Sequence, residues 1–435
     1  MIRLIIYALL AMLSFSPAVW AADMDYLMKL YRHFHQNPEL SFQEEQTAAR
    51  ISDELKELGF EVTTGVGGHG LVGVLENGAG PTILIRTDLD GLPVVEATGL
   101  AFASTQKAIE QTGQEVGAMH ACGHDTHMAA FIGTAQNLVA AKNDWSGTLA
   151  MIGQPAEERG TGARAMIVDG LFERFPRPDY NLALHVSAEH PAGTVMVVPG
   201  WAMANVDSVD IQIHGIGGHG AYPQTTKDPI VLAAGIILTL QTLVSREIAP
   251  IEPAVVTVGS IHGGAKHNVI SDRVDLQLTV RSYTDEVRNA LLSGIERIAH
   301  GQARAYGLPE DMLPVVTVKD EYTPAVYNTP ELVQRLAPAL AEVLGAANFV
   351  QGKPSLGGED FGQYGRVEPK IPSVLFWVGG VAPSDYQDSE DGELALPSLH
   401  SAYFAPDAEL TISTGIDAMT AAVLELFQHN IAYLE

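Results

Sequence analysis

The sequence predicts an α/β fold: a doubly wound, mixed-sheet domain interrupted by a smaller α+β unit built from one sheet and two helices. Three observations lead there. Short apolar runs of strand length alternate with amphipathic helical runs before residue 203 and again after residue 321, as happens when helices cover a buried sheet. Three of these apolar runs lead into Asp, Glu or His, and open α/β sheets carry functional loops at the carboxyl ends of their strands. Between residues 204 and 320 the pattern changes to strands around two long helices. The boundaries are therefore 22–203 with 321–435 for the large discontinuous domain, and 204–320 for the insert. At 435 residues the chain exceeds what one hydrophobic core usually serves.

Hydrophobic residues at 46% and charged residues at 18% describe a soluble globular protein. A formal net charge of -27 argues against nucleic acid or an anionic membrane surface as partner, because both reward clustered Lys and Arg. An anionic substrate would need local cations or amides against that field. The single cysteine excludes an intramolecular disulfide framework. The N-terminus reads as a signal peptide over residues 1–21: Arg3, an apolar run over 4–13, Pro17, then Val19-Trp20-Ala21 before the cut. That run is short for a transmembrane span. Export to the periplasm or medium follows, without stable membrane insertion after cleavage; an uncleaved anchor is the alternative. In an exported protein a lone thiol is better protected as a metal ligand than free.

Tyr26, Leu27, Leu30, Tyr31 and Phe34 have helical spacing, and the helix ends at Asn37-Pro38. A second helix carries Ala48, Ile51, Leu55 and Leu58, with Ser41-Phe42-Gln43-Glu44 as its capping box and Gly59 as its stop. Buried strands follow at 70–75 and 82–86, a helix at 128–142, a strand at 148–153, a helix at 163–168 and a strand at 180–184. The insert reads as a strand at 208–214, a helix from Asp228-Pro229 to 244, strands at 254–261 and 274–282, a helix at 285–306 and a closing strand at 315–318. The large domain resumes with a helix at 332–344, a strand at 373–378 and a helix at 409–427. The Gly-rich turn around His219 lacks a phosphate-loop Lys-Ser/Thr, so it gives no reason to propose nucleotide binding.

The densest chemistry lies in Gly117 to His127, where Cys122 stands among His120, His124, Asp125 and His127. Thiolate, imidazole and carboxylate together are ligands that borderline-soft divalent metals favour; a buried thiol beside ordinary histidines is the plain alternative. Asp88 and Asp90 follow one strand, where Asp also caps turns. Glu157 and Glu158 follow the next, where adjacent acids are commonly just solvated, and His185 follows the third. Repetition at three strand ends is what favours a metal site. His400, in a Pro/Ser-rich loop, has no such support from its own surroundings.

In order along the chain, Arg86-Thr87-Asp88-Leu89-Asp90, the segment from Met119 to Asp125, Gln154 to Glu158, Leu184-His185, Gly218-His219 with Asp228-Pro229, His267-Asn268-Val269-Ile270, Gly358-Glu359-Asp360-Phe361 and Leu399-His400-Ser401 resemble the motifs of the co-catalytic metallohydrolases of the aminoacylase and carboxypeptidase type. The amidohydrolase branch, with hippurate, N-acyl-amino-acid and auxin-conjugate hydrolases, is the nearest likeness. The resemblance covers essentially the whole mature chain. It implies two divalent metal ions per subunit (Zn, Mn, Co or Ni), held by Cys122, His124, Glu158, His185 and His400. It makes Glu157 the general base and acid that works on a metal-activated water. Asp88, Asp90 and Asp125 become groups that orient ligands. The insert becomes a lid through which the chain forms a homodimer, and His219 the histidine that reaches the neighbouring subunit's site to stabilise an oxyanion. Asn268 and Arg281 become contacts to a substrate carboxylate, a task suited to Arg.

The implied function is hydrolysis of the amide bond in N-acyl amino acids or related small conjugates. A dipeptidase or carboxypeptidase of the same fold is the alternative, and a non-catalytic small-ligand binder a remote one. No Gly-x-Ser-x-Gly elbow supports a serine hydrolase. Three positions depart from the family pattern: Gln224 in place of a histidine, Ser271 in place of a proline and Leu278 in place of a glycine. All three lie in the insert, so they bear on substrate identity and not on the ligands.

Overall fold

The computed structural model describes residues 22–428; the signal-peptide reading of residues 1–21 lies outside them. The chain opens with α1 (Met24–Gln36), whose Asp23 cap accepts from the Tyr26 amide, and α2 (Glu45–Glu57). The expected capping box does not form. Ser41 donates instead to Asp90, and Glu44 accepts from the Phe42 and Ala156 amides. One acid, Asp90, and two backbone amides, those of Phe42 and Ala156, thus take the box partners.

Next come β1 (Glu61–Val66), β2 (Gly70–Asn77), β3 (Thr82–Asp88), the hairpin of β4 (Lys107–Ile109) and β5 (Glu115–Gly117), α3 (His124–Ala140), β6 (Gly147–Gln154), α4 (Gly162–Val168), α5 (Leu171–Arg174), β7 (Tyr180–Pro191), β8 (Val195–Val197) and β9 (Gly200–Met203). The insert holds β10 (Asn205–His214), β11 (Gly218–His219), α6 (Pro229–Thr242), β12 (Ala254–Gly263), β13 (Val269–Ile270), β14 (Arg273–Ser282), α7 (Asp285–Ala305) and β15 (Val315–Val318). The chain returns through β16 (Val326–Asn328), α8 (Pro330–Leu344), β17 (Phe349–Gln351), α9 (Gly362–Gly365), β18 (Ser373–Val381), α10 (Pro383–Glu390) and α11 (Ala408–Gln428).

The main sheet has eight strands in the order β1-β2-β6-β3-β7-β18-β8-β17. Its centre, β6-β3-β7-β18, is parallel, while β1, β2 and β8 join their inner neighbours antiparallel. Alternation along each central strand sorts side chains to two cores. Ile83, Ile85, Leu149, Met151, Leu182 and Leu184 pack under α1, α2, α3, α8 and α11. Leu84, Ala150, Ile152 and Ala183 pack with Met166 of α4 and Tyr364 of α9. With both faces covered, this is the doubly wound mixed sheet. A separate core joins α6 and α7 to one face of the four-stranded sheet β12-β14-β10-β15, and Leu278 is buried in it.

Two boundaries matter for the site. α3 begins at His124, four residues before the expected start, with Gly123 in the left-handed conformation ahead of it. β7 runs on to Pro191, so His185 lies within the strand and not beyond its end. Because β3 pairs with β7 only as far as Ala183, the β3 side of His185 has no strand neighbour.

A buried histidine ties the N-terminal helix to this layout. His35 on α1 places Nδ1 2.7 Å from Asp125 Oδ2 and Nε2 3.0 Å from Glu96 Oε1. Burial lowers its proton affinity, but the bonds and charges of Asp125 and Glu96 raise it from 6.5 to about 9. A histidine raised on folding stabilises fully below its ordinary value, and that stabilisation is lost as pH climbs through the folded one. Over this interval it amounts to roughly 3 kcal/mol. The melting temperature of the wild type should therefore fall between pH 6.5 and pH 9, and His35→Gln should flatten the fall. Identical pH profiles for the two proteins would refute the assignment.

Candidate active site

The carboxyl edge of β3, β6 and β7 gathers the chemistry. Arg86 is fully buried in β3 and organises the acids around it. Its guanidinium donates to Gln154 Oε1 (2.9 Å), Asp88 Oδ2 (2.7 Å), Glu359 Oε1 (2.8 Å) and Asp360 Oδ1 (3.3 Å). In the sequence Arg86 stands within the Arg86-Thr87-Asp88-Leu89-Asp90 motif without a task of its own. The available signal was a lone arginine inside an otherwise apolar strand, which demands buried counter-charges.

Three histidines show how hydrogen bonds decide which nitrogen is free. His124 Nδ1 lies 2.7 Å from the Asp90 carbonyl, which can only accept, so Nδ1 carries the proton. Its Nε2 is buried and unpartnered. His185 follows the same rule: Nδ1 faces the Val186 carbonyl at 2.7 Å, and Nε2 lies 3.5 Å from Cys122 Sγ. His127 is the reverse. Its Nε2 accepts from the Val186 amide and its Nδ1 donates to Asp88, so both nitrogens are taken. His120 leaves both of its buried nitrogens unpartnered.

The free donor atoms converge. Those of Cys122, His124 and His185 lie within 4.8 Å of one another, as do those of Cys122, Glu158 and His400. The two triads share the sulfur. His400 comes from an exposed loop and is itself exposed; its backbone has φ 64°, its amide donates to the Ala121 carbonyl at 2.9 Å, and its Nε2 lies 3.5 Å from Glu158 Oε2. A thiol, three imidazoles and a carboxylate, with buried His124 Nε2 and Glu158 Oε1 left without partners, fit divalent cations of the borderline class. Electrostatics agrees. Burial and the charge of Glu158 push the Cys122 thiol well up, and burial pushes Glu158 to about 8. Burial opposes a charged His124, yet Asp88 leads the carboxylates that raise it to about 10. The cluster is short of positive charge.

Glu157 stands beside this cluster, buried, with its proton affinity raised by burial first and by Glu359 second. Asp90 accepts from the Glu157 and Glu158 amides, both at 3.1 Å. Asp88 lies between Arg86 and His127, and Asp125 between His35 and the Thr126 amide. A cleft of about 890 Å³ opens over Cys122, Glu157, Glu158, His185 and His400, and Arg281 lines it too. Arg281 donates to the Leu356 carbonyl and to Thr279. His219 and Asn268 lie elsewhere, at the β11–β13 pair: His219 pairs with Val269, and the Gly220 amide donates to the Asn268 carbonyl. That pair is exposed and lines no part of the cleft.

Comparison with known proteins gives consistent results. The model of peptidase family M20/M25/M40 matches residues 84–402. Thermostable carboxypeptidase 2 of Saccharolobus solfataricus is 35% identical over 82% of this chain and 86% of its own. N-acetylcysteine deacetylase of Bacillus subtilis is 35% identical over 89% of this chain and 97% of its own. Among solved structures, the Bacillus subtilis YXEP protein, described as a dinuclear metal binding peptidase from the M20 family, aligns with a TM-score of 0.73. It is 30% identical and covers 93% of this chain and 98% of its own.

Protons raised on Cys122, Glu158 and His124 must leave when a cation binds, so metal affinity should rise with pH. Calorimetric titration with Zn or Mn in buffers of different ionisation enthalpy should show net proton release, and Cys122→Ala should lower the bound metal measured by elemental analysis. Absence of proton release, or an unchanged metal content, would remove these atoms from the ligand set.

Proposed function

This chain belongs to peptidase family M20/M25/M40, metal-dependent hydrolases of amide bonds, and from that premise we propose that it is an exported amidohydrolase acting on N-acyl amino acids or related small amide conjugates. The observation that carries this reading is the pair of donor triads sharing Cys122, with Glu157 beside the donor Glu158. Cys122, His124, Glu158, His185 and His400 would hold two divalent cations. When bound, these supply a more acidic water and polarise the substrate carbonyl.

Glu157 does the proton work. Buried and rich in proton affinity, it removes a proton from the attacking water and returns one to the leaving amine. Its neighbour is committed elsewhere, which is why two adjacent glutamates take different roles. Arg281 gives the cleft a guanidinium suited to a substrate carboxylate. A carboxypeptidase of the same fold would use the same guanidinium for a peptide C-terminus, and a substrate panel separates the two. Wild-type protein supplied with Zn, Mn, Co or Ni should hydrolyse N-acetyl- or N-benzoyl-amino acids faster than dipeptides. Glu157→Gln should lose roughly 10²–10⁴-fold in kcat at near-normal metal content. Retained activity in that variant sinks the mechanism.

The proposal extends to a homodimer through the insert, with the partner's His219 completing the oxyanion site. Its support is the exposed apolar surface of α6, at Ile230, Val231 and Leu238, close in sequence to the exposed His219 pair. Exposed apolar side chains grouped on one helix support an interaction site there. Native mass spectrometry of protein from the exporting host should give a dimer of chains beginning at Ala22. A monomer would remove the role of His219, and a retained N-terminus the cleaved signal.

A further inference from the structure

The turn that presents Glu157 is built on strain. Among the described residues, three other than glycine have positive φ: Phe42 at 63°, Ala156 at 49° and His400 at 64°. Such residues persist only where the surroundings over-determine them. Ala156 immediately precedes Glu157 and is fully buried. Its left-handed backbone (φ 49°, ψ 42°) turns the chain out of β6 into the short turn Glu157–Arg159. Three successive amides there find no strand or helix carbonyl. Asp90 takes those of Glu157 and Glu158. Glu44 Oε1 takes that of Ala156 at 2.7 Å, from 112 residues away, and also that of Phe42 at 2.9 Å. One oxygen therefore holds two of the three strained residues.

We propose that Glu44 is a positioning residue for Glu157, pinning the Ala156 amide so that the left-handed turn keeps the Glu157 carboxyl over the metal cluster. Glu44 is itself fully buried, and its Oε2 has no partner. It touches neither substrate nor cluster, so it acts only through the backbone. Near neutral pH a large share of it is uncharged, since burial and then Asp90 raise it to about 8. What the Ala156 amide needs is an acceptor at the right reach. Glutamine supplies that reach; aspartate, one methylene shorter, does not. Loss of the bond lets the turn relax toward ordinary backbone, and a displacement of about 1 Å at a reacting group costs on the order of 10²-fold in rate.

The inference rests on the reading of Glu157 as base. The test uses the full chain loaded with Zn or Mn and the N-acetyl- and N-benzoyl-amino acid panel. For Glu44→Asp, kcat should fall roughly 10- to 100-fold, with KM within about threefold and wild-type metal content by elemental analysis. Glu44→Gln should return kcat to within about threefold of wild type. Wild-type kcat in Glu44→Asp overturns the proposal. So does a Glu44→Gln as impaired as Glu44→Asp, or a loss that tracks bound metal or melting temperature, which marks a plain folding role. A wild type inactive on the whole panel takes down the proposed function and this inference with it; an active wild type unaffected by Glu44→Asp takes down this inference alone.

Discussion

Buried negative charge at one sheet edge is the constraint from which the rest of the structure follows. Asp88, Asp90, Glu157, Glu359 and Asp360 are all buried there, with Glu158 nearly so. Carboxylates removed from water without compensation are prohibitively costly. The fold compensates them with a buried cation, polar side chains and backbone amides. Arg86, held between strands, forks onto Asp88, Glu359 and Asp360. Ser41 donates to Asp90, His127 to Asp88 and Gln154 to Asp360. Backbone amides add to these: those of Glu157 and Glu158 for Asp90, that of Ala163 for Asp360 and that of Phe361 for Glu359. What stays uncompensated lies on the side facing Cys122 and His124. The edge is thus compensated toward the core and offers its remaining donor atoms toward the cleft, which suits a site for divalent cations.

Ring orientation then separates candidate ligands from supports. His124 and His127 occupy adjacent levels of the same helix turn, and residue type alone cannot rank them. The Asp90 carbonyl holds His124 by Nδ1 and leaves Nε2 free, while His127 spends both nitrogens on Asp88 and the Val186 amide. His185, though it lies in a strand, repeats the His124 solution with the Val186 carbonyl. Val186 therefore serves both rings, its amide fixing one and its carbonyl the other. A single residue of β7 sets two tautomers.

Much of this was legible in the sequence, for identifiable reasons. Central strands such as β3, β6 and β14 showed because burial enforces apolar runs or strict alternation. β1 did not show: it is an edge strand with Thr63, Thr64 and Gly65 largely outside the core, so nothing in its composition demanded a strand. The first turn of α3 was hidden because His124, Asp125 and His127 point toward site partners and not toward a lipid-like core, which erases the helical hydrophobic period. Cys122, His124, Glu157, Glu158 and His185 were visible as clustered or strand-end donors. His400 was visible only by resemblance, because its loop has no local pattern and its place is set by one backbone bond to Ala121. Arg86, His127 and Glu44 act through partners distant in sequence, and a single chain of letters records no such pairings.

Where the backbone is forced out of its ordinary range sharpens the same point. Phe42, Ala156 and His400 are each followed or answered by a group of the site: Phe42 by Glu44, Ala156 by Glu157, and His400 by its own imidazole. Left-handed backbone in a residue with a Cβ costs about 1–2 kcal/mol, a sizeable share of the stability a domain of this kind holds. A fold shaped by stability alone would place glycine at these positions, as it does at Gly160, at the other end of the Ala156 turn. At Ala156 the methyl is fully buried, so the side chain that opposes the turn also packs it and denies the turn the freedom glycine would give. Rigidity at this turn matters under the proposed function, in which the carboxyl that would move protons and the carboxylate that would face the metal ions leave it on consecutive residues.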